Sequence, residues 1–219
     1  MASPLSSDPS LAAFGSSLTA ITLAELGDKT FFMALILAVR HRARWVFIGS
    51  FAALTAVTLI SLALGYGLRE LLPQSLVPWL AAVLFLSFGI KLLIDAQGMA
   101  ANAATEEKAE AEQVINTAES SKAFNTAWAV IWEAFALVFI AELGDRTQFT
   151  TIFMATAPAQ VFSFGGLLAG TLLGHALVTW LAVGAGKWIG QWVNERLLYR
   201  LSGGLFLVFG LAALSQALS

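Results

Sequence analysis

Cysteine is absent from the 219 residues, which excludes disulfides and thiolate metal sites of the zinc or copper(I) kind. Histidine occurs only twice, too seldom for an imidazole-rich site. Charge is scarce as well: 12% of residues carry one, and the net charge is -2. The lysines and arginines form no broad basic face that would neutralise phosphates, so nucleic acid is not an expected partner. The amino-terminal stretch also lacks the basic region of a secretory signal. Its first charge is Asp8, so the first apolar segment is expected to be retained.

What fills the chain instead is apolar sequence, 58% hydrophobic overall and arranged in long runs between clustered charges. Six runs have the length of a membrane span, lying within Leu11 to Val39, Trp45 to Gly67, Leu76 to Asp95, Asn125 to Ala157, Val161 to Gly186 and Leu198 to Leu218. They are continuously apolar with interspersed Gly, Ala and Ser, the pattern of packed helices and not of the alternating strands of a barrel. Between the third and fourth lies a stretch rich in Ala and Glu, with Glu106, Glu107, Glu110, Glu112 and Glu119, read as a solvated connector with some helix. Arg40, Arg42, Arg44, Lys91, Lys108, Lys122, Lys187, Arg196 and Arg200 fall on one side of the six spans and Arg69 on the other. The positive-inside rule makes the first side cytoplasmic and places both termini on the opposite one.

The two halves repeat each other. Ala24-Glu25-Leu26-Gly27-Asp28-Lys29-Thr30 returns as Ala141-Glu142-Leu143-Gly144-Asp145-Arg146-Thr147, and Leu84-Phe85-Leu86-Ser87-Phe88-Gly89 returns as Leu205-Phe206-Leu207-Val208-Phe209-Gly210. Three spans per copy is an odd number, so the second copy enters the bilayer from the opposite side. The expected fold is therefore an all-α integral membrane protein, six transmembrane helices in two inverted three-helix repeats. Residues 1–97 form the first repeat, 98–124 an acidic cytoplasmic linker and 125–219 the second repeat.

Glu25 and Asp28 are spaced to share one face of a helix, and Glu142 and Asp145 repeat the spacing. An acid inside a span costs several kcal/mol unless it is paired or hydrated, so four of them in symmetric places point to function. The bland alternative is i,i+4 pairing of Glu25 with Lys29 and Glu142 with Arg146, which leaves Asp28 and Asp145 without a purpose. Carboxylates are hard ligands suited to calcium, manganese or magnesium. Gln148 is the best neutral ligand, and Thr30, Thr147, Thr150, Thr151 and carbonyls loosened at Gly27 and Gly144 are further oxygen sources. Against these stand threonines bonded to their own helix and glycines serving close packing, the leading role for the glycines. His175 is read as a neutral histidine bonded to a helix carbonyl in preference to a proton relay, because the matching position in the first half is Thr58. Glu133 and Asp95 are read as interfacial, and Trp79, Trp128, Trp132, Trp188 and Trp192 as interface markers.

The doubled motif at Glu25 to Thr30 and Glu142 to Thr147 resembles the signature of the small cation-exchanger family that includes the Golgi manganese and calcium transporter of eukaryotes and chloroplast and bacterial manganese transporters. The resemblance extends over nearly the whole chain. It implies export of manganese or calcium from the cytoplasm in exchange for protons, in a bacterial inner membrane or an organellar membrane. It puts the family's acidic positions on Glu25, Asp28, Glu142 and Asp145 and its basic positions on Lys29 and Arg146. No resident cofactor and no enzymatic activity are expected; the metal is cargo. Charge arithmetic agrees with exchange: four motif carboxylates with Lys29 and Arg146 sum to -2, which one divalent cation or two protons would neutralise. Two other classes fit less well. An intramembrane aspartyl protease needs a Gly-x-Gly-Asp sequence, but Glu25 and Glu142 stand where its first glycine belongs, and its Tyr-Asp partner is missing. A compact six-helix exporter of amino acids needs cationic or helix N-terminal groups for an organic carboxylate, and this site is acidic.

Overall fold

The computed structural model describes residues 8–98, 104–119, 126–157, 163–189 and 195–218. Lys122 and Trp192 lie outside the described residues, as do the side chains of Glu106, Glu107, Glu119, Lys187 and Trp188. All regular structure among the described residues is helical: α1 (Pro9–Glu25), α2 (Lys29–Arg40), α3 (Ala43–Leu71), α4 (Val77–Gly98), α5 (Ala104–Glu119), α6 (Ala127–Glu142), α7 (Arg146–Thr156), α8 (Phe164–Ile189) and α9 (Glu195–Leu218). Local chemistry sets several ends. The Asp8 carboxylate accepts the Ser10 N–H at 2.9 Å with Pro9 at the first helical position, and the Thr126 hydroxyl accepts the Ala129 N–H at 3.2 Å. Arg196 donates to the carbonyls of Ala96 and Gln97 and so satisfies the end of α4.

Four helices, α3, α4, α8 and α9, contain stretches long and apolar enough to cross a membrane; α6 and α7 make a fifth if that pair, bent by 68°, is one span. This corrects the reading of Leu11 to Val39 and Asn125 to Ala157 as single helices. Each is two helices, interrupted at the repeated motif.

The principal packings join one half to the other. Helix α1 lies along α8 as α6 lies along α3, α2 meets α8 as α7 meets α3, and α4 pairs with α9. Small residues permit the close approach. A Cβ on Gly49 of α3 would stand 2.3 Å from the Ile131 carbonyl oxygen of α6, and one on Gly65 would stand 2.4 Å from the Ile152 oxygen of α7. In the other half, Gly166 and Gly170 of α8 approach Ser10 and Phe14 of α1 in the same way. The order of these contacts makes α3 parallel to α6–α7 and α8 parallel to α1. Gly89 meets Gly203 and Leu207 while Gly210 meets Leu86, so α4 and α9 are antiparallel, with the Phe85 ring stacked on Phe206 and tilted against Phe209, each at 6.0 Å. Gly65→Ala is therefore expected to lower stability by about 1–3 kcal/mol, the usual effect of overpacking. Gly67→Ala, where a Cβ meets nothing within 4 Å, should lower it not at all. Thermal unfolding of the two purified variants in detergent reads the difference.

The linker is more than a solvated connector. Helix α5 packs on α2 and buries Ala111 and Ile115 completely, and it ties Glu110 to Lys29 at 3.0 Å and Asn116 to Arg40 at 2.7 Å. Trp79, Trp128 and Trp132 are exposed on α4 and α6.

Candidate functional site

The repeated motif does not sit on a helix; it breaks one. At the first break Leu26 is extended (φ -65°, ψ 118°), Gly27 has φ 77°, and the Asp28 N–H returns to the Glu25 carbonyl at 3.2 Å. The second break repeats this, with Leu143 at φ -67° and ψ 114°, Gly144 at φ 84° and the Asp145 N–H on the Glu142 carbonyl at 3.2 Å. Both are type II turns, whose third residue needs the left-handed region that glycine reaches without strain. That conformation is the motif glycines' role. The close-packing role fails for Gly144, where a Cβ would meet nothing within 4 Å.

Glu25 and Glu142 thus end α1 and α6, while Asp28 and Asp145 stand at the N-cap positions of α2 and α7. Each pair is brought together by a turn and not by a shared helix face. Glu25 and Glu142 are 2% and 1% exposed, which rules out stabilisation by bulk water. The motif threonines hold them alike: Thr30 donates to Glu25 Oε2 at 2.9 Å, and Thr147 donates to Glu142 Oε1. The Thr147 hydroxyl is also 3.2 Å from Asp145 Oδ2. Across the halves the acids lie in one another's field, Glu142 sensing Glu25, Asp145 and Asp28 together.

The motif cations break the symmetry. Neither i,i+4 pair of the bland alternative forms. Arg146 of the second half reaches Asp28 of the first, donates to the Ala24 carbonyl at 3.3 Å and lies over the Tyr199 ring, while Lys29 is drawn to Glu110 of the linker. Asp145 caps α7 by accepting the Thr147 N–H, but Asp28 makes no cap bond to α2 because its carboxylate is turned to Arg146. Among the described residues no three acids or imidazoles are gathered tightly enough to hold a metal in this conformation.

Two acidic or imidazole groups outside the motif are more enclosed than sequence position conveys. Glu133, read as interfacial, is 5% exposed, with His41 Nε2 3.6 Å from its Oε2. His175 Nδ1 has no hydrogen-bond partner and lies 3.8 Å from Glu25 Oε1, so the expected bond from this nitrogen to a helix carbonyl is not made.

The sequence profile described as divalent cation/proton antiporter GDT1 matches residues 13–100 and 130–219, on either side of the linker and across both breaks. The chain belongs to the GDT1 family. A GDT1-like protein of Synechocystis sp. is 39% identical over 93% of this chain and 97% of its own length. Protein PAM71, chloroplastic, of Arabidopsis thaliana is 38% identical, and GDT1-like protein 1, chloroplastic, of Oryza sativa subsp. japonica is 35% identical; each aligns over 93% of this chain, which spans 56% and 62% of their lengths. No solved structure matches. As a GDT1 member the chain is a membrane transporter of divalent cations and not an enzyme, which removes the protease reading.

Within the GDT1 framework the neutral candidates fare unevenly. Gln148 is buried, but its Oε1 accepts the Gly144 N–H at 2.7 Å, so it shapes the break. Thr150 donates to its own helix at the Arg146 carbonyl, and Thr151 is buried on α7. Of the carbonyls loosened in the last turn of α1, Leu23 O is taken by the Ser202 hydroxyl at 2.7 Å and Ala24 O by Arg146. Ser202 and Tyr199 escaped the sequence reading; the signal for Ser202 was a hydroxyl inside an apolar run of α9.

Proposed function

We propose that this protein exports manganese or calcium from the cytoplasm in exchange for protons, through a site formed by Glu25, Asp28, Glu142 and Asp145. One observation supports this above the rest: two type II turns of like backbone, one in each half, carry three buried acids, Glu25, Asp28 and Glu142, and the half-buried Asp145 in one field with a single guanidinium, that of Arg146. In a bilayer such an array is strongly disfavoured without a cation or protons to neutralise it. The parallel packing of α1 on α8 and α3 on α6 is what six spans in two inverted repeats require, with α1–α2 and α6–α7 as broken spans meeting near the midplane. Both termini then lie on the non-cytoplasmic side, as the lysine and arginine distribution asks.

Charge counting has to follow the structure. Lys29 is neutralised by Glu110, so the four acids and Arg146 leave three negative charges. A divalent cation and one retained proton balance the loaded site, and three protons balance the returning one. The exchange therefore remains about two protons per metal ion, with the proton common to both states shared among the buried acids. Asp28 must leave Arg146 before it can ligate metal.

The test uses the purified full chain in sealed vesicles with a pH gradient and zero membrane potential. Metal flux driven by the gradient, with lumenal pH moving in step at about two protons per ion, is expected. Metal flux indifferent to the gradient and leaving pH unchanged would overturn proton exchange.

A further inference from the structure

Beside the first break, three buried polar atoms have no hydrogen-bond partner: Glu25 Oε1, Ser50 Oγ and His175 Nδ1. They arrive from three helices, α1, α3 and α8, and their residues line one cavity of about 10 Å³, into which Thr30 and Thr179 also face. That is room for roughly one water-sized sphere or one bare ion. Buried polar atoms are rarely left unpaired, and three around one small cavity mark a place built for an occupant.

The distances indicate which kind. His175 Nδ1 and Glu25 Oε1 are 3.8 Å apart, too far for a hydrogen bond. Two donors on one divalent ion, each bonded at about 2.0–2.3 Å, stand no more than roughly 4–4.6 Å apart, and 3.8 Å fits between them. The other Glu25 oxygen is engaged by Thr30, which leaves Oε1 for the cavity. In the first half the position matching His175 is Thr58, whose hydroxyl donates to the Leu54 carbonyl at 2.8 Å. The nitrogen donor belongs to the second half alone.

We propose that His175 Nδ1 and Ser50 Oγ join Glu25 Oε1 as ligands of the transported ion, and that the imidazole favours a divalent d-block ion such as manganese over calcium. The inference rests on the cation reading of Glu25 and deepens it. Calcium takes oxygen ligands, whereas an imidazole nitrogen adds affinity for d-block ions.

The test is pulsed electron paramagnetic resonance of manganese bound to the full chain in lipid nanodiscs. Nitrogen hyperfine coupling from a directly bound imidazole is expected. It should take the heavier-isotope pattern when histidine is labelled with that isotope, which needs no mutation. It should vanish in His175→Gln and persist in His41→Gln. In His175→Gln the preference for manganese over calcium, read by competition, should fall about tenfold. Manganese binding that is lost in Glu25→Gln yet shows no nitrogen coupling in the wild type overturns the role of His175 alone, leaving water as the cavity's occupant. Manganese binding that survives Glu25→Gln overturns the parent reading and this one with it.

Discussion

Glu142→Gln is expected to abolish metal flux without lowering the melting temperature of the purified protein. The two halves of that expectation have separate causes. Removing one anionic ligand from a hard divalent ion should lower transport by at least about 100-fold, since loss of a mere outer-shell partner usually lowers metal affinity roughly 10- to 100-fold. Stability should hold because the amide keeps the shape, can still accept the Thr147 hydroxyl at Oε1, and removes charge from a side chain that is 1% exposed and has one oxygen unpartnered. Glu25→Gln should behave alike. Asp8→Asn, which can still cap α1, is the silent control. Glu110, in the linker, is unsuitable for that purpose because it holds Lys29. Flux near wild type in both glutamine variants would defeat the assignment, and flux lost together with the folded protein would mark the glutamates as structural.

Arg146→Ala should be the most damaging single change to the fold near the site. The guanidinium is 16% exposed and the Asp28 carboxylate 9%, so deletion strands a buried anion, at a cost of about 3–5 kcal/mol. It also removes the donor to Ala24 and the cation over Tyr199. Adding Asp28→Asn should recover most of that stability without restoring transport, because the anion is gone but so is a proposed ligand. Arg146→Lys should fall between, a point charge lacking the planar fork that serves Asp28 and the Ala24 carbonyl together. Unfolding of the two single mutants and the double measures the coupling directly. Additive losses, with no recovery in the double mutant, would show that Asp28 and Arg146 do not act as a pair.

The repeat and the identity of the acids were legible because membrane burial makes every ionisable residue conspicuous and a doubled motif multiplies the signal. The break itself was not. Hydropathy is blind to backbone direction, and Glu-Leu-Gly-Asp reads as helix in an apolar window until Gly27 is seen at positive φ. Partner choice was hidden for a related reason: Lys29 and Arg146 are equivalent in sequence, but one faces the linker helix and the other the opposite half. The burial of Glu133 was hidden because position along a span says nothing of lateral packing, which covers this side chain near the start of α6. His175 was discounted for lacking a counterpart in the first half. Symmetry arguments favour what two copies share and overlook what one copy has acquired.

The interlocking of the halves bears on how the molecule is made. Helix α1 finds its groove on α8 and α3 finds its partners in α6 and α7, so most of the first half's surface has no mate within the first half. At roughly 5–20 residues per second, the ribosome needs on the order of ten seconds to deliver the later helices. Through that interval Glu25 and Asp28 have emerged without Arg146, and the glycine faces of α3 have nothing to close upon. The nascent first half must wait at the insertion machinery or among lipids, held by α5 at most. Assembly of this transporter is therefore expected to be completed late, once the second half has been synthesised.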